Sequence, residues 1–333
     1  MPTVKLSNGS EFATTLGLNL VAAALASGIT LPHSCKTGRC SACKCRVLQG
    51  ETTALQSEAG LTDAEKADGW ILSCARSAQT DLTLEVEDLG GVVLPPIKTL
   101  PCRISSIELI ASDIVNVRLR LPPSADFKSI PGQYIDVIGP AGVRRSYSLA
   151  NADATKKILE LHIRAVDSGV LSDYWFKQAK VNDLLRLNGP LGTFFLRNFA
   201  QLNLVFLATG TGISPVKAML ESLVGIAPAL APKSVTVFWG GRIPLDMYFD
   251  AQAIPAGHRF VPVLSRAAAG WAGVRGYVQK ALLDEHPDLA NTAVYACGSD
   301  NMIRSAKTSL LAAGLPEKRF FADAFVSSAT HSF

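Results

Sequence analysis

The chain lacks any window of 18 apolar residues free of polar breaks, so it offers no membrane-spanning helix. It also lacks a run of lysines and arginines. Its 32 basic side chains face 28 acidic ones, a net charge of +4, and nucleic acid is not expected as a partner. Internal repeats and low-complexity segments are missing. Charged residues are scarce at 18% against 48% hydrophobic ones, which excludes a disordered chain and supports buried cores. An export signal is lacking too. Residues 16–31 are apolar and contain Ala24-Leu25-Ala26 before Ser27, but the first fifteen residues carry only Lys5, beside Glu11, where a basic start is needed. Asn19 interrupts the stretch, so a buried helix is the better reading. Without an export signal the seven cysteines do not read as a disulfide framework. Metal or redox chemistry in the cytoplasm is favoured.

What is present divides into three textures, as 333 residues at roughly 150 per domain would allow. Residues 1–90 form a first unit. Ser7-Asn8-Gly9-Ser10 sits between short strands over 4–6 and 11–14, a hairpin signal. Residues 18–27 read as a helix ended by Gly28, and Asp63-Ala64-Glu65-Lys66 as a short helix capped by Thr62. Residues 82–86 alternate as a strand does. Gly90-Gly91 and Pro95-Pro96 mark a linker, bounded at 91–100. Residues 101–199 hold strand-like runs at 102–107, 114–121, 134–138 and 159–166 between Pro/Gly turns, the pattern of an antiparallel β-barrel. From 200 to 333, apolar strands at 204–207, 235–239, 259–264 and 293–296 alternate with helical segments such as 216–223. That alternation implies a doubly wound parallel sheet. The fold class is therefore multidomain, α+β followed by α/β.

The strongest local signal is Cys35-x4-Cys40-x2-Cys43 with Cys74 far downstream, the plant-type spacing for a 2Fe-2S cluster. The loop must wrap closely around bridging sulfides. Gly38 allows the tight fold, and Ser34, Ser41 and Ala42 are small enough to let amide groups approach the sulfurs. Zinc would more commonly use two Cys-x2-Cys pairs, and Cys74 has no nearby mate. Cys45 reads as a strand side chain and Cys102 as core. His33 raises a Rieske-type alternative, but four cysteines suffice, so it is expected on the surface.

A second constellation is Arg144-Arg145-Ser146-Tyr147-Ser148-Leu149-Ala150-Asn151. Arginine can clamp a pyrophosphate, tyrosine offers a flat face to a flavin ring, and a serine hydroxyl can contact a ring nitrogen. A basic strand with a half-buried tyrosine would look similar. The string gains force from Leu161-His162-Ile163-Arg164 and from Gly169-Val170-Leu171-Ser172, where Gly169 permits a tight turn beside a phosphate and Ser172 adds a donor. His162 taken alone also fits a satisfied strand residue. A third constellation, Ala208-Thr209-Gly210-Thr211-Gly212-Ile213-Ser214-Pro215, closes a strand and opens a helix, where amides can meet a diphosphate. Pro215 stands where a dinucleotide fingerprint has its third glycine, and an ordinary strand–helix turn would share this pattern. Tyr295-Ala296-Cys297-Gly298-Ser299 ends another strand, and ligands of doubly wound sheets sit outside such ends.

Together these motifs resemble the ferredoxin–NAD(P)H reductase family joined to a plant-type ferredoxin module, over nearly the whole chain. The resemblance implies a β-grasp-like ferredoxin domain (1–90), an FAD domain (101–199) and a nicotinamide domain (200–333). It implies Cys35, Cys40, Cys43 and Cys74 on the cluster, and Arg145, Tyr147 and Ser148 on FAD. It implies the turn from Gly210 to Pro215 and Cys297-Gly298 on the nucleotide, with Cys297 near the hydride path and Phe325 covering the flavin. Pro131-Gly132-Gln133-Tyr134-Ile135-Asp136 and Phe320-Phe321-Ala322-Asp323-Ala324-Phe325-Val326 resemble most the branch that serves 3,6-dideoxyhexose and hence lipopolysaccharide synthesis. For that branch the electron acceptor is a pyridoxamine-phosphate-dependent dehydrase. The alternative is the reductase of an aromatic-ring oxygenase, which shares all three cofactors. A redox sensor without sustained turnover is a further alternative. A hydride carries two electrons and the cluster takes one, so FAD belongs between them. NADH is preferred to NADPH, because Asp246 follows Arg242 and that arginine has no basic neighbours in sequence.

Overall fold

The computed structural model describes residues 1–152, 157–250, 254 and 257–325. The chain forms two compact units, Met1–Leu94 and Pro95–Phe325.

In the first unit a five-stranded sheet runs in the order Glu11–Ala13, Thr3–Leu6, Leu82–Glu85, Lys44–Gln49, Trp70–Leu72. Thr3–Leu6 and Leu82–Glu85 pair in parallel and the other neighbours antiparallel. The hairpin turn passes through Gly9 at φ 86°. The helix Leu20–Ala26 lays Leu20, Ala23 and Ala24 on Val4, Leu6, Leu82 and Leu84. Asn19 does not break that helix but starts it. Its Oδ1 accepts the Ala22 amide at 2.9 Å, satisfying one of the donors a helix start leaves free. Thr62 and Glu65 form a reciprocal capping box on Asp63–Ala67. One helix packed on this mixed sheet is the β-grasp arrangement expected.

The second unit opens with a six-stranded antiparallel sheet in the order Arg144–Ser148, Tyr134–Ile138, Leu184–Leu191, Lys98–Ala111, Ile114–Arg120, Ile158–Arg164. Its ladder does not close into a barrel among the described residues. Asn151 bridges the gap between the two edges. Its Oδ1 accepts the Glu160 amide and its Nδ2 donates to Ile158 O, both at 2.9 Å, as a backbone rung would. Two features differ from the sequence reading. The strand expected over 102–107 is 14 residues long and starts at Lys98, because Leu100 pairs with Leu187 and packs on the core. Leu184–Leu191 gave no strand signal because it carries Gly189 and Pro190. A register shift opposite Tyr134 and Asp136 accommodates the proline, which has no amide to give a ladder.

The remaining sheet is wholly parallel, in the order Val274–Arg275, Arg259–Leu264, Ser234–Gly241, Asn203–Thr209, Thr292–Gly298, Phe320–Ala324. Leu204, Phe206 and Ala208 meet Ile213, Val216 and Leu220 of the helix Ile213–Leu223. The alternate residues Val205 and Leu207 are equally buried. Both faces of the central strand are thus covered, as a parallel sheet requires. Among the described residues no helix is long and apolar enough to cross a membrane.

Candidate functional site

The cysteine loop is bent where it was expected to be. Gly38 has φ 72°, and a Cβ there would lie 2.0 Å from Ser57 O, so only glycine fits. Lys36 and Ser41 also take positive φ, at 56° and 58°. Such conformations cost roughly 1–3 kcal/mol each and persist where the surrounding structure enforces them. All seven cysteines are free thiols. Four converge in two pairs, Cys35 with Cys40 and Cys43 with Cys74, the latter sulfurs 3.1 Å apart. Backbone amides point at the sulfurs. Thr37 donates to Cys35 Sγ and Cys35 to Cys40 Sγ, each at 3.4 Å, and Arg39, Ala42 and Gly38 donate to Cys35, Cys40 and Cys74. Among the described residues no three ligand-type side chains are grouped around a single ion. Two thiol pairs with inward amides fit a two-iron cluster carrying net negative charge. Cys45 and Cys102 are buried elsewhere, as expected. His33 is not on the surface. It is 5% exposed with Nδ1 2.8 Å from Leu31 O, and burial and the Lys36 charge lower its pKa to about 4. It is therefore a neutral imidazole at neutral pH.

The flavin motif lies on an edge strand, Arg144–Ser148, which exposes one side to a ligand. Strand alternation puts Arg145 and Tyr147 on one face and Arg144 and Ser146 on the other. Arg144 and Ser146 are both tied to Asp136, at 3.6 and 2.6 Å. The Tyr147 hydroxyl accepts the Trp175 indole N–H at 3.0 Å, which fixes the ring, and burial pushes its pKa to about 12. Ser148 is buried at the strand end. Gly169 opens the short helix Val170–Asp173, and Ser172 Oγ accepts the Val166 amide at 2.8 Å, holding the turn closed while Val170 stays exposed. His162 has the partners of the satisfied strand residue that the sequence also allowed. Nδ1 meets Tyr248 Oη at 3.1 Å and Nε2 meets Glu160 Oε1 at 3.0 Å, so neither ring nitrogen is left for a cofactor. Glu160 in turn faces Lys217 at 3.4 Å, and Lys217 holds Ala150 O at 2.9 Å. This network joins the flavin sheet to the helix Ile213–Leu223. Sequence reading missed Glu160, Lys217, Tyr248 and Trp175. Only the period-two spacing of Glu160 and His162 hinted that they share a face.

The strand order of the parallel sheet reverses between Asn203–Thr209 and Thr292–Gly298, its topological switch point. Gly210 to Pro215 and Cys297-Gly298 meet there. A Cβ on Gly212 would lie 2.3 Å from Cys297 O, and one on Gly298, at φ 129°, 2.3 Å from Thr209 Oγ1. Thr209 Oγ1 accepts the Ser299 amide at 3.0 Å and locks the two turns together. Gly212 begins the helix Ile213–Leu223 without a side-chain cap; the Ile213 amide donates back to Gly210 O and Thr211 O within the turn, and Ser214 and Pro215 are buried behind it. Arg164 reaches this turn from the flavin sheet. A Cβ on Gly210 would lie 2.9 Å from Arg164 Nη1, Nε pairs with Asp113 at 3.2 Å, and Nη2 is buried without a hydrogen bond among the described residues. An unsatisfied guanidinium at a glycine turn fits a phosphate-bearing ligand. Cys297 is wholly buried, and burial with the Asp323 carboxylate keeps its thiol protonated. The Phe325 amide donates to Gly298 O at 2.8 Å, which sets the 40%-exposed ring beside the switch point. Val326 lies outside the described residues. Arg242 is held by Asp246, whose Oδ2 accepts its amide at 2.6 Å and its Nε at 3.3 Å. Arg266, 24 residues on, donates its amide to Arg242 O at 2.8 Å, a basic neighbour that strand pairing supplies.

Comparison with known proteins matches these three regions in turn. Residues 6–79 match the 2Fe-2S iron-sulfur cluster binding domain, 101–196 the oxidoreductase FAD-binding domain and 206–308 the oxidoreductase NAD-binding domain. The chain is 41% identical over 331 residues to CDP-6-deoxy-L-threo-D-glycero-4-hexulose-3-dehydrase reductase of Yersinia pestis, covering 98% of each. It is 34% identical over 325 residues to protein RfbI of Salmonella typhimurium, covering 96% of this chain and 94% of that one. A crystal structure of an Amycolatopsis cytochrome P450 reductase, GcoB, superposes with a TM-score of 0.73 at 28% identity, covering 98% and 99%.

Proposed function

The chain belongs to the family of iron–sulfur flavoprotein reductases that join a plant-type ferredoxin module to a ferredoxin–NAD(P)H reductase, and on that premise we propose that it acts as a CDP-6-deoxy-3,4-glucoseen reductase. It draws electrons from NADH and passes them, through FAD and a 2Fe-2S cluster, to a pyridoxamine-phosphate-dependent dehydrase. That acceptor holds a CDP-4-keto-6-deoxyhexose for removal of the C3 hydroxyl in 3,6-dideoxyhexose synthesis. The observation that carries this reading is 41% identity to a dehydrase reductase across 98% of both chains, against 28% to the P450 reductase.

The residues divide the work. Cys35, Cys40, Cys43 and Cys74 hold the cluster, and the amides around them stabilise its charge. Arg145 and Arg164 neutralise phosphate groups, the ring of Tyr147 carries the flavin face, and Ser148 donates to it. Bound FAD supplies the conversion of a two-electron donor into single-electron deliveries. The turn from Gly210 to Pro215 and Gly298 seats the nucleotide at the switch point, with Cys297 as the buried floor and Phe325 as the cover. The carboxylate of Asp246 at the end of Ser234–Gly241 repels a 2′-phosphate and engages Arg242, which favours NADH. Seven free thiols accord with a cytoplasmic chain.

The test is an anaerobic coupled assay containing the purified protein, NADH, the dehydrase and its CDP-sugar. Formation of the 3-deoxy product only with all components present supports the reading. Brisk dye reduction by NADH without product, alongside a competent dehydrase, rejects the sugar acceptor and turns the assignment to an oxygenase component.

A further inference from the structure

Residues 55–61 pass between the two segments that carry the cysteines and are tied to both. On the loop side, the Gly60 amide donates to Gly38 O at 2.8 Å and Ser41 Oγ donates to Gly60 O at 2.6 Å. The backbones meet so closely that a Cβ on Gly60 would lie 2.8 Å from Arg39 O. On the other side, the Leu55 amide donates to Ala75 O at 2.8 Å. The Gln56 side chain spans both, its Nε2 donating to Lys36 O at 3.0 Å and Cys74 O at 3.1 Å.

Below this crossing lies a buried carboxylate. Glu58 is 7% exposed. Its Oε1 accepts the Leu72 amide at 2.8 Å, and its Oε2 accepts Nε and Nη2 of Arg76 at 2.9 and 2.6 Å. Leu72 and Arg76 stand two residues before and two after Cys74. Burying such a charge is expensive, and both of its oxygens must be satisfied to offset it. A leucine in a core of this kind would hold the domain together as well. What the carboxylate adds is direction, because it holds the backbone at Leu72 before one thiol and the Arg76 side chain after it.

We propose that residues 55–61 are a positioning strap for the metal centre, anchored by the Glu58–Arg76 pair, which sets where Cys74 stands relative to Cys35, Cys40 and Cys43. This rests on the reading of those four cysteines as cluster ligands. Glu58 and Gln56 act through the ligands and touch neither cluster nor substrate. Groups that orient metal ligands in this way typically change metal retention by about 10- to 100-fold when removed.

The experiment uses the full-length protein loaded with cluster and FAD. Variants Glu58→Gln, Gln56→Leu and the double change Glu58→Gln with Arg76→Leu are compared with Val4→Ala. Val4 lies in the separate apolar core under Leu20 and Leu82. The readouts are iron release to a chelator, visible circular dichroism of the cluster, FAD content and the melting midpoint. Glu58→Gln and Gln56→Leu should release iron at least about tenfold faster and alter the dichroism while keeping FAD. The double change should regain melting midpoint, since no charge is left without a counter-ion, but not retention. Val4→Ala should lower the midpoint and leave release alone. Release and dichroism at wild-type values in both single variants would overturn the proposal, as would equal acceleration by Val4→Ala. Gln56 is exposed, so Gln56→Leu carries the test should Glu58→Gln not fold. A reconstituted wild-type protein without iron and sulfide would instead overturn the ligand reading itself.

Discussion

Replacing Gly212 by alanine should separate nucleotide chemistry from everything else in the molecule. The added methyl would lie 2.3 Å from Cys297 O, 2.6 Å from Cys297 C and 2.8 Å from Gly298 Cα. All three are backbone atoms, so no rotamer change relieves them. The φ of Gly212 is −59°, which alanine adopts freely, so the perturbation is steric and not torsional. Ordinary contact begins near 3.4 Å, so the two turns of the switch point must part by about 1 Å. A misplacement of about 1 Å can cost roughly 100-fold in rate, or about 2.7 kcal/mol of barrier. Overpacking also lowers stability by about 1–3 kcal/mol. Flavin reduction by NADH, followed anaerobically by stopped flow, should slow about 100-fold in Gly212→Ala. Reduction of flavin and cluster by dithionite should be unchanged. Gly270→Ala, where φ is not positive and the added methyl meets nothing within 4 Å, serves as the control and should leave the rate intact. A folded Gly212→Ala protein reduced by NADH at the wild-type rate would refute the placement of the nucleotide at this switch point.

Cys40→Ser should abolish electron delivery to the dehydrase and leave NADH-to-FAD transfer largely intact, as flavin bleaching would show; collapse of both would break the linear order. Asp246→Ala removes the carboxylate that holds Arg242 at 3.3 Å and should raise the NADPH/NADH ratio of kcat/KM about tenfold. An unchanged ratio would remove Asp246 from nucleotide selection. Tyr147→Phe leaves the Trp175 indole N–H buried without its partner and should cost about 1–3 kcal/mol in urea unfolding while FAD is retained. Tyr147→Ala should in addition loosen FAD, measured by flavin fluorescence on dilution.

The sequence by itself determined whatever depends on short spacing. Cysteine spacing at 35, 40 and 43 implied an iron–sulfur loop, because a small cluster must be wrapped by a few residues of chain. Asn-Gly at 8–9, Thr62 before Asp63 and the alternation over 82–86 became a hairpin, a capped helix and a strand, because turns, caps and pleats are decided by neighbours along the chain. The three-domain order was legible for the same reason, each texture having its own period.

Tertiary structure decided what depends on residues far apart in sequence. Leu184–Leu191 gave no strand signal along the chain; a neighbouring strand with a shifted register takes its Gly189 and Pro190 into a sheet. His33 was placed on the surface because four cysteines suffice as ligands, and is buried with Nδ1 against Leu31 O. His162 could be read as a flavin-site residue or a satisfied strand residue, and the fold makes it the link between Glu160 and Tyr248, a residue 86 positions away. Arg242 had no basic neighbour until a parallel strand brought Arg266 beside it. Glu58 and Arg76 carried no signal at all, since an ion pair 18 residues apart has no period or motif. Local patterns announce which chemistry a chain can hold. Which side chains aim it is settled only when sheet order and loop crossings bring distant residues within hydrogen-bond reach.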